Sequence, residues 1–337
     1  MQKSIKVAVL GSTGYVGLEL VYLLSLISKK ENIIINFLGS ENSVDEKINN
    51  FDQRIKKKLP RTKLNSEFAV NDSEILFLAL PHKVSQEYVK KFIGKIKIID
   101  LSADFRLDDE EIYNQNYDTQ HSCPNLLNDF VYGLFEVNHK QISNANNIAV
   151  PGCYPTSILI PLIPLLKENI IKNSNIIIDS KSGYSGAGKN FDKNNIFNPE
   201  YDLNFYNYNP YEHRHVCEIK QELEKFTSKE IEFSFNPHIL PIFRGMMSSI
   251  YCDINNQYTL DQINSSLSKF YKDYKNIEIY SGDQRADFNC VQNTNKCIIK
   301  IFKHYSKSKI TIVSLIDNLN KGAAGQAIQC MLGMQRN

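Results

Sequence analysis

A two-domain α/β protein is what this sequence predicts: a doubly wound, parallel-sheet nucleotide domain, then an α+β domain on a mostly antiparallel sheet. Three observations lead there. An apolar run, a glycine turn, a helically spaced segment and a second apolar run follow one another at the start. The texture changes after residue 150, where strand-like segments recur with helices between them. And 337 residues exceed the roughly 250–300 at which a single core stops growing.

Residues 5–10 are a short apolar run, as suits a strand buried on both faces. Gly11, Ser12, Thr13, Gly14, Tyr15, Val16 and Gly17 follow as the turn, and 18–28 carry helical spacing. A second run at 33–38 ends at Gly39-Ser40, and 75–79, 96–100 and 147–150 read as further buried strands. PGCYPT at 151–156 is a turn, with an apolar helix expected to about residue 166. Pro161 and Pro164 lie inside that helix, and each removes a backbone donor, so it is expected to kink or break early. Beyond it, 176–179, 232–235, 247–251, 297–302 and 310–313 read as strands, 190–209 as a long polar loop, and 322–332 as a terminal helix.

Composition narrows the function. A net charge of +2 with no basic stripe argues against nucleic acid and anionic membranes, and Lys56-Lys57-Lys58 reads as a solvated face. No apolar run approaches the roughly 18 residues a membrane span needs. The opening residues show no signal region with a cleavage site. Seven scattered cysteines without a CxxC pair suit neither a disulfide framework nor a zinc site. A reducing, cytoplasmic setting is expected.

Five features carry chemistry. The turn at 11–17 is spaced GxxGxxG, and its strand-to-helix context suits amides that approach a pyrophosphate; the bland alternative is a turn serving only packing. Cys153 lies between a strand and a helix start, where the helix dipole favours a thiolate, although most free cysteines are simply small buried groups. His213-Arg214-His215 offers two candidate bases around an arginine suited to an anion. A second glycine-rich loop, SGYSGAGK at 182–189, suits a close backbone approach to a ligand, or else is only flexible. Arg106 and Arg244 are isolated charges in apolar settings, the residue type that grips carboxylate or phosphate bidentately.

Together these segments resemble the N-acetyl-gamma-glutamyl-phosphate reductase family along nearly the whole chain. The likeness rests on GSTGYVGLEL at 11–20, ALPH at 79–82, IDLSADFRL at 99–107 and YGL at 132–134. It continues through PGCYPT, SGYSGAGK, HRH at 213–215, PHILPIFRG at 237–245 and DNLNKGAAGQA at 317–327. The resemblance implies a Rossmann domain over 1–150 and 316–337, and a catalytic, oligomerising domain over 151–315 like that of glyceraldehyde-3-phosphate dehydrogenase. It implies NADPH-dependent reduction of an acyl phosphate to a semialdehyde. Cys153 matches the nucleophile, with His215 or His213 as acid/base. Ser182, Gly183, Asn318 and Gly322, with Ser40 and the turn at 11–17, would hold the dinucleotide. Arg106, Arg214, Arg244, Ser185 and Gly186 would hold a small-molecule substrate. No metal is implied, and a dimer or tetramer of one chain is.

The sequence departs from the family pattern in three places. Glu41 stands where a 2′-phosphate would be read, so NADP use with a relaxed preference, NAD included, is expected. Cys217 replaces a proline after HRH, and Pro161 is unusual. The competing readings are an aspartate-semialdehyde or aminoadipyl-type enzyme, or a non-catalytic nucleotide sensor.

Overall fold

A computed structural model describes residues 4–198, 202–210, 212–255, 258–306 and 308–335. The first three residues of the opening segment and residues 199–201 of the expected polar loop lie outside the described residues. The chain divides into two compact units, 1–151 with 323–337, and 152–322.

The first unit is a six-stranded sheet of β1 (Ile5–Leu10), β2 (Ile33–Leu38), β3 (Ile75–Leu78), β4 (Lys97–Asp100), β5 (Val131–Tyr132) and β6 (Asn147–Ala149), in the order β2-β1-β3-β4-β6-β5. Every neighbouring pair is parallel. Such strands bury both faces, which is why β3 is buried at all four positions and reads as an unbroken apolar run. Helices α1 (Tyr15–Ile27), α2 (Val84–Phe92), α3 (Glu110–Tyr117) and α4 (Phe135–Ser143) belong to it. Two apolar layers result. Val7, Val9, Leu20 and Leu24 lie in one, Ala8, Leu10, Val89 and Phe92 in the other. The C-terminal helix, Gly325–Gly333, packs on α1 and α4 through Ala327, Met331 and their neighbours.

The second unit carries α5 (Cys153–Lys167), β7 (Ile176–Gly183), β8 (Phe197–Asn198), β9 (Asp202–Leu203), β10 (Tyr206–Asn207), α6 (His215–Glu224), β11 (Phe233–Leu240), β12 (Met246–Asp253), α7 (Leu260–Phe270), β13 (Ile277–Tyr280), β14 (Cys297–Lys303) and β15 (Lys309–Ile316). Its seven-stranded sheet runs β10-β11-β7-β12-β15-β14-β13. Only β11 with β7 and β13 with β14 pair in parallel. The strict alternation of burial along β7 and β12 gives the sheet two unlike faces. One, bearing Ile178, Ser180, Ser248 and Ile250, is buried, and α5 packs against β12 and β15. The other is open. Ile177, Tyr251 and Phe302 stand in one row across it through the register of β7, β12, β15 and β14. They remain 51%, 39% and 42% exposed.

The expected early break in the proline-bearing helix does not occur: α5 runs unbroken for 15 residues. Pro164 cannot donate to the Ile160 carbonyl, but the Tyr271 hydroxyl donates to it instead at 2.5 Å. Burial of every residue from Tyr154 to Leu166 then holds the helix together. Ser182 and Gly183, expected in a loop, are the last two residues of β7. Among the described residues no helix is long and apolar enough to cross a membrane.

Candidate active site

In the first unit the glycine turn is built as a phosphate cradle must be. Gly11 has φ +75, and a Cβ there would meet the Ala79 carbonyl oxygen at 2.2 Å. A Cβ on Gly17 would lie 2.1 Å from the Gly11 oxygen, so a side chain at either position would push helix and strand apart. Gly14 caps α1, whose first-turn amides have no acceptor within the helix and present the positive end of its dipole. Ser12 is buried, its hydroxyl donating to the Gly39 carbonyl at 2.9 Å. It therefore ties β1 to β2. The Thr13 and Ser40 hydroxyls are 2.8 Å apart. The turn thus fits a dinucleotide pyrophosphate, with Thr13, Tyr15 and Val16 at its mouth.

In the second unit Cys153 is the first residue of α5, capped by Gly152. Its sulfur belongs to the helix end where negative charge is stabilised. Two close approaches define its surroundings. A Cβ on Gly152 would meet His215 Nε2 at 2.6 Å, and a Cβ on Gly322 would meet the Cys153 Cβ at 2.8 Å. Glycine is needed at both places because the cysteine turn, the imidazole and the 318–322 segment crowd one another. Glu218, on α6 with His215, accepts the Gly152 backbone N–H at 2.9 Å while fully buried. One short helix therefore carries both the imidazole and the carboxylate that fixes the cysteine turn.

The two histidines are not equivalent. His213 Nδ1 accepts the backbone N–H of His215 at 3.1 Å, so that nitrogen carries no proton. The Nε2–H then faces the Tyr208 hydroxyl at 3.3 Å. Tyr208 donates to Tyr154 at 3.3 Å, and Tyr154 donates to the His238 carbonyl at 3.1 Å. Burial pushes His213 down to about 4, and the Arg214 charge adds to it. Burial also pushes Tyr208 up to about 12 and Tyr154 well above its ordinary value. This is a neutral relay with one direction of donation. His215 is the imidazole whose Nε2 reaches the cysteine turn.

Ser182, Gly183, Ser185, Gly186 and Asn318 come together, while Gly322 lies against Cys153. A Cβ on Gly183 would strike the Phe243 carbonyl oxygen at 2.7 Å. Asn318 donates to the Ser185 hydroxyl at 2.9 Å and accepts the Gly245 amide at 2.8 Å. Gly186 lies against Ser182 and Asn318. The three arginines have different surroundings. Arg106, in the first unit, donates to the Val150 carbonyl at 2.7 Å and the Leu101 carbonyl at 3.1 Å, stitching the 101–107 segment to the end of β6. Arg244 is buried and forks onto Asp317, with Nε at 2.7 Å and Nη2 at 3.2 Å, while Nη1 donates to Asn293. Burial pushes the Asp317 carboxyl upward, and the guanidinium and the amides of Asn293, Asn320 and Leu319 pull it back. Arg214 is the exposed one, next to both histidines. Cys217 donates to the Arg214 carbonyl at 3.0 Å, and burial pushes its thiol up to about 12, which makes it a poor nucleophile.

Sequence reasoning passed over Glu218, Asp317, Asn65, Tyr154 and Tyr208. Two had a usable signal, since Glu218 lies one helical turn past His215 and Asp317 opens the DNLNKGAAGQA segment. Asn65 had none, because its partners Gly11 and Glu41 are remote in sequence, and Tyr208 shows its role only through Tyr154, 54 residues away.

Comparison with known proteins bears on both units. Residues 6–145 match the family described as semialdehyde dehydrogenase, NAD binding domain. Residues 153–318 match semialdehyde dehydrogenase, dimerisation domain. An N-acetyl-gamma-glutamyl-phosphate reductase of Ehrlichia canis is 41% identical over 98% of this chain and 94% of its own length. That of Clostridium botulinum is 40% identical over 99% and 97%. Among solved structures, aspartate semialdehyde dehydrogenase II of Vibrio cholerae superposes with TM-score 0.76 at 18% identity, over 100% of this chain and 99% of that one. The Candida albicans aspartate semialdehyde dehydrogenase with NADP gives 0.70 at 16%, over 99% of each. At those identities the likeness establishes the fold.

Proposed function

Because the chain belongs to the N-acetyl-gamma-glutamyl-phosphate reductase family of semialdehyde dehydrogenases, we propose that it reduces N-acetyl-gamma-glutamyl phosphate to N-acetyl-glutamate semialdehyde with NADPH, through a thioester on Cys153, in arginine biosynthesis. The observation that carries this reading is Cys153 at the start of α5, with the His215 imidazole against its turn and Gly322 against its Cβ.

His215 takes the thiol proton as the sulfur attacks the acyl carbon. The carbon–oxygen bond to phosphate breaks, inorganic phosphate leaves and a thioester remains. The dinucleotide, when bound, supplies the hydride that reduces it. Cleavage of the carbon–sulfur bond then frees the aldehyde and restores the thiolate. The covalent stage divides one difficult substitution into two easier steps.

Thr13, Tyr15, Val16 and Ser40 of the first unit would bind the dinucleotide, as would Ser182, Gly183, Asn318 and Gly322 of the second. His213 positions His215 through its backbone amide and moves no proton. Arg214, with Ser185 and Gly186, would meet the substrate's anionic groups. Arg244 supports the 317–322 wall through Asp317, and Arg106 braces the first unit. A second copy of the chain would cover the open face at Ile177, Tyr251 and Phe302, in keeping with the matched dimerisation domain. The enzyme would work in the cytoplasm.

The test is phosphate-dependent oxidation of a panel of semialdehydes. N-Acetyl-glutamate semialdehyde should exceed aspartate semialdehyde and the aminoadipate analogue in kcat/KM by at least about 100-fold, the discrimination a missing or extra methylene gives in a fitted pocket. Preference for another member of the panel would refute the substrate; no turnover of any member would refute the enzyme.

A further inference from the structure

The end of β2 carries a feature that the thioester chemistry does not use. In a doubly wound sheet a dinucleotide lies beyond the carboxyl ends of the strands, and an acidic side chain after the second strand accepts hydrogen bonds from the adenosine ribose. Glu41 stands at that place, three residues past the last residue of β2, and it is exposed.

Its carboxylate is not loose. Asn65 donates to Glu41 Oε1 from Nδ2 at 2.7 Å, and the Tyr88 hydroxyl lies 3.4 Å from the same oxygen. Asn65 is 1% exposed, and its other amide atom, Oδ1, accepts the backbone N–H of Gly11 at 3.1 Å. One buried amide therefore joins the phosphate turn to the carboxylate. Gly39 makes room for it, since a Cβ there would lie 2.2 Å from Asn65 Oδ1. The carboxylate in turn raises the Tyr88 hydroxyl, after burial itself. Of the cations nearby in sequence, Lys47 carries its side chain in solvent and Arg61 is engaged with Asp45. Lys63 is on the segment whose backbone bridges Gly39, with its side chain in solvent.

We propose that Glu41, held by Asn65 and Tyr88, reads the adenosine ribose of the dinucleotide: it accepts from the 2′- and 3′-hydroxyls and penalises a 2′-phosphate, so that the chain takes NADH alongside NADPH. A carboxylate fixed beside the ribose 2′ position meets a phosphate as a like charge and meets a hydroxyl as a donor. The contacts from Asn65 and Tyr88 are made without the ligand, so the selector is preorganised and its discrimination acts on affinity.

This inference rests on the dinucleotide site of the reading above, but its test does not depend on the thioester. Dissociation constants for NADPH, NADH, 2′,5′-ADP and 5′-ADP are measured by nucleotide fluorescence and calorimetry on the full chain carrying Cys153→Ser, with Glu41 intact, with Glu41→Gln and with Tyr88→Phe. With Glu41 intact, NADH and NADPH should bind within about tenfold of each other. Glu41→Gln should move the ratio at least tenfold toward NADPH, with the same shift between 5′-ADP and 2′,5′-ADP, and Tyr88→Phe should move it part of the way. An intact protein that favours NADPH by more than 100-fold, or a ratio that Glu41→Gln leaves in place, would overturn the assignment. Failure to bind any of the four nucleotides would refute the dinucleotide site itself.

Discussion

Gly152→Ala separates catalytic geometry from folding. The backbone at 152 is extended, φ −63 and ψ 156, so alanine is tolerated there without strain. The added methyl, however, would sit 2.6 Å from His215 Nε2 and 3.0 Å from Pro155 Cδ. To reach the 3.4 Å at which ordinary contact begins, the imidazole nitrogen must retreat by about 0.8 Å. The helix carrying it is anchored by Glu218 to the very amide beside the new methyl, so the ring yields rather than the helix. A misplacement near 1 Å costs on the order of 100-fold in rate. The expected outcome is a kcat for semialdehyde oxidation lower by about that factor, with thermal midpoint and dinucleotide affinity near those of the unaltered chain. Gly94→Ala is the complementary control. Nothing lies within 4 Å of its Cβ position, but its φ of +73 makes alanine strained, so stability falls by about 1 kcal/mol with activity intact. Gly152→Ala at full kcat would refute the assignment of His215 as the partner of Cys153.

Three further outcomes follow from the same geometry. His213 is held neutral, its pKa lowered from 6.5 to about 4, so the unfolded chain binds a proton before the folded one as pH falls through that window. Folding stability from this group is thus lost between about 6.5 and 4, by roughly 3 kcal/mol, and the midpoint of His213→Asn relative to the unaltered chain should rise steadily as pH falls through that window. Asp100, pushed up to about 6, acts in the opposite sense and is common to both proteins, so the difference between them isolates His213; an unchanged curve contradicts the buried neutral imidazole. Arg244→Met strands Asp317 in the interior and should cost about 3–5 kcal/mol in equilibrium denaturation, whereas a loss below 1 would mean that the pair is wet. Tyr251→Asp places a charge in the middle of the open sheet face, and light scattering should show a dimer for the unaltered chain and a monomer for the variant; a variant dimer puts the interface elsewhere.

What could be read from the sequence was local. The run from β1 through the glycine turn into α1 announces itself because periodicity and turn chemistry agree within some 20 residues. PGCYPT placed Cys153 at a helix start for the same reason. The errors were long-range. Pro161 and Pro164 should have broken α5, but a tyrosine about a hundred residues further on supplies a missing donor. The edge strand β5 is two residues long, too short to show a strand period of its own. The choice between His213 and His215 was closed to inspection, since it depends on which ring nitrogen meets a backbone amide and which meets the cysteine turn. The carboxylate partner of Arg244 was also out of reach, since it lies 73 residues away.

The central claim is the covalent one, and mass spectrometry tests it most directly. The protein is mixed with the acyl phosphate in the absence of dinucleotide, quenched in acid and digested. The peptide carrying Cys153 should gain the mass of the acyl group, one phosphate should be released per adduct, and Cys153→Ser should show neither. Turnover by a protein in which that peptide never gains mass, or an adduct on Cys217 instead, would contradict the account.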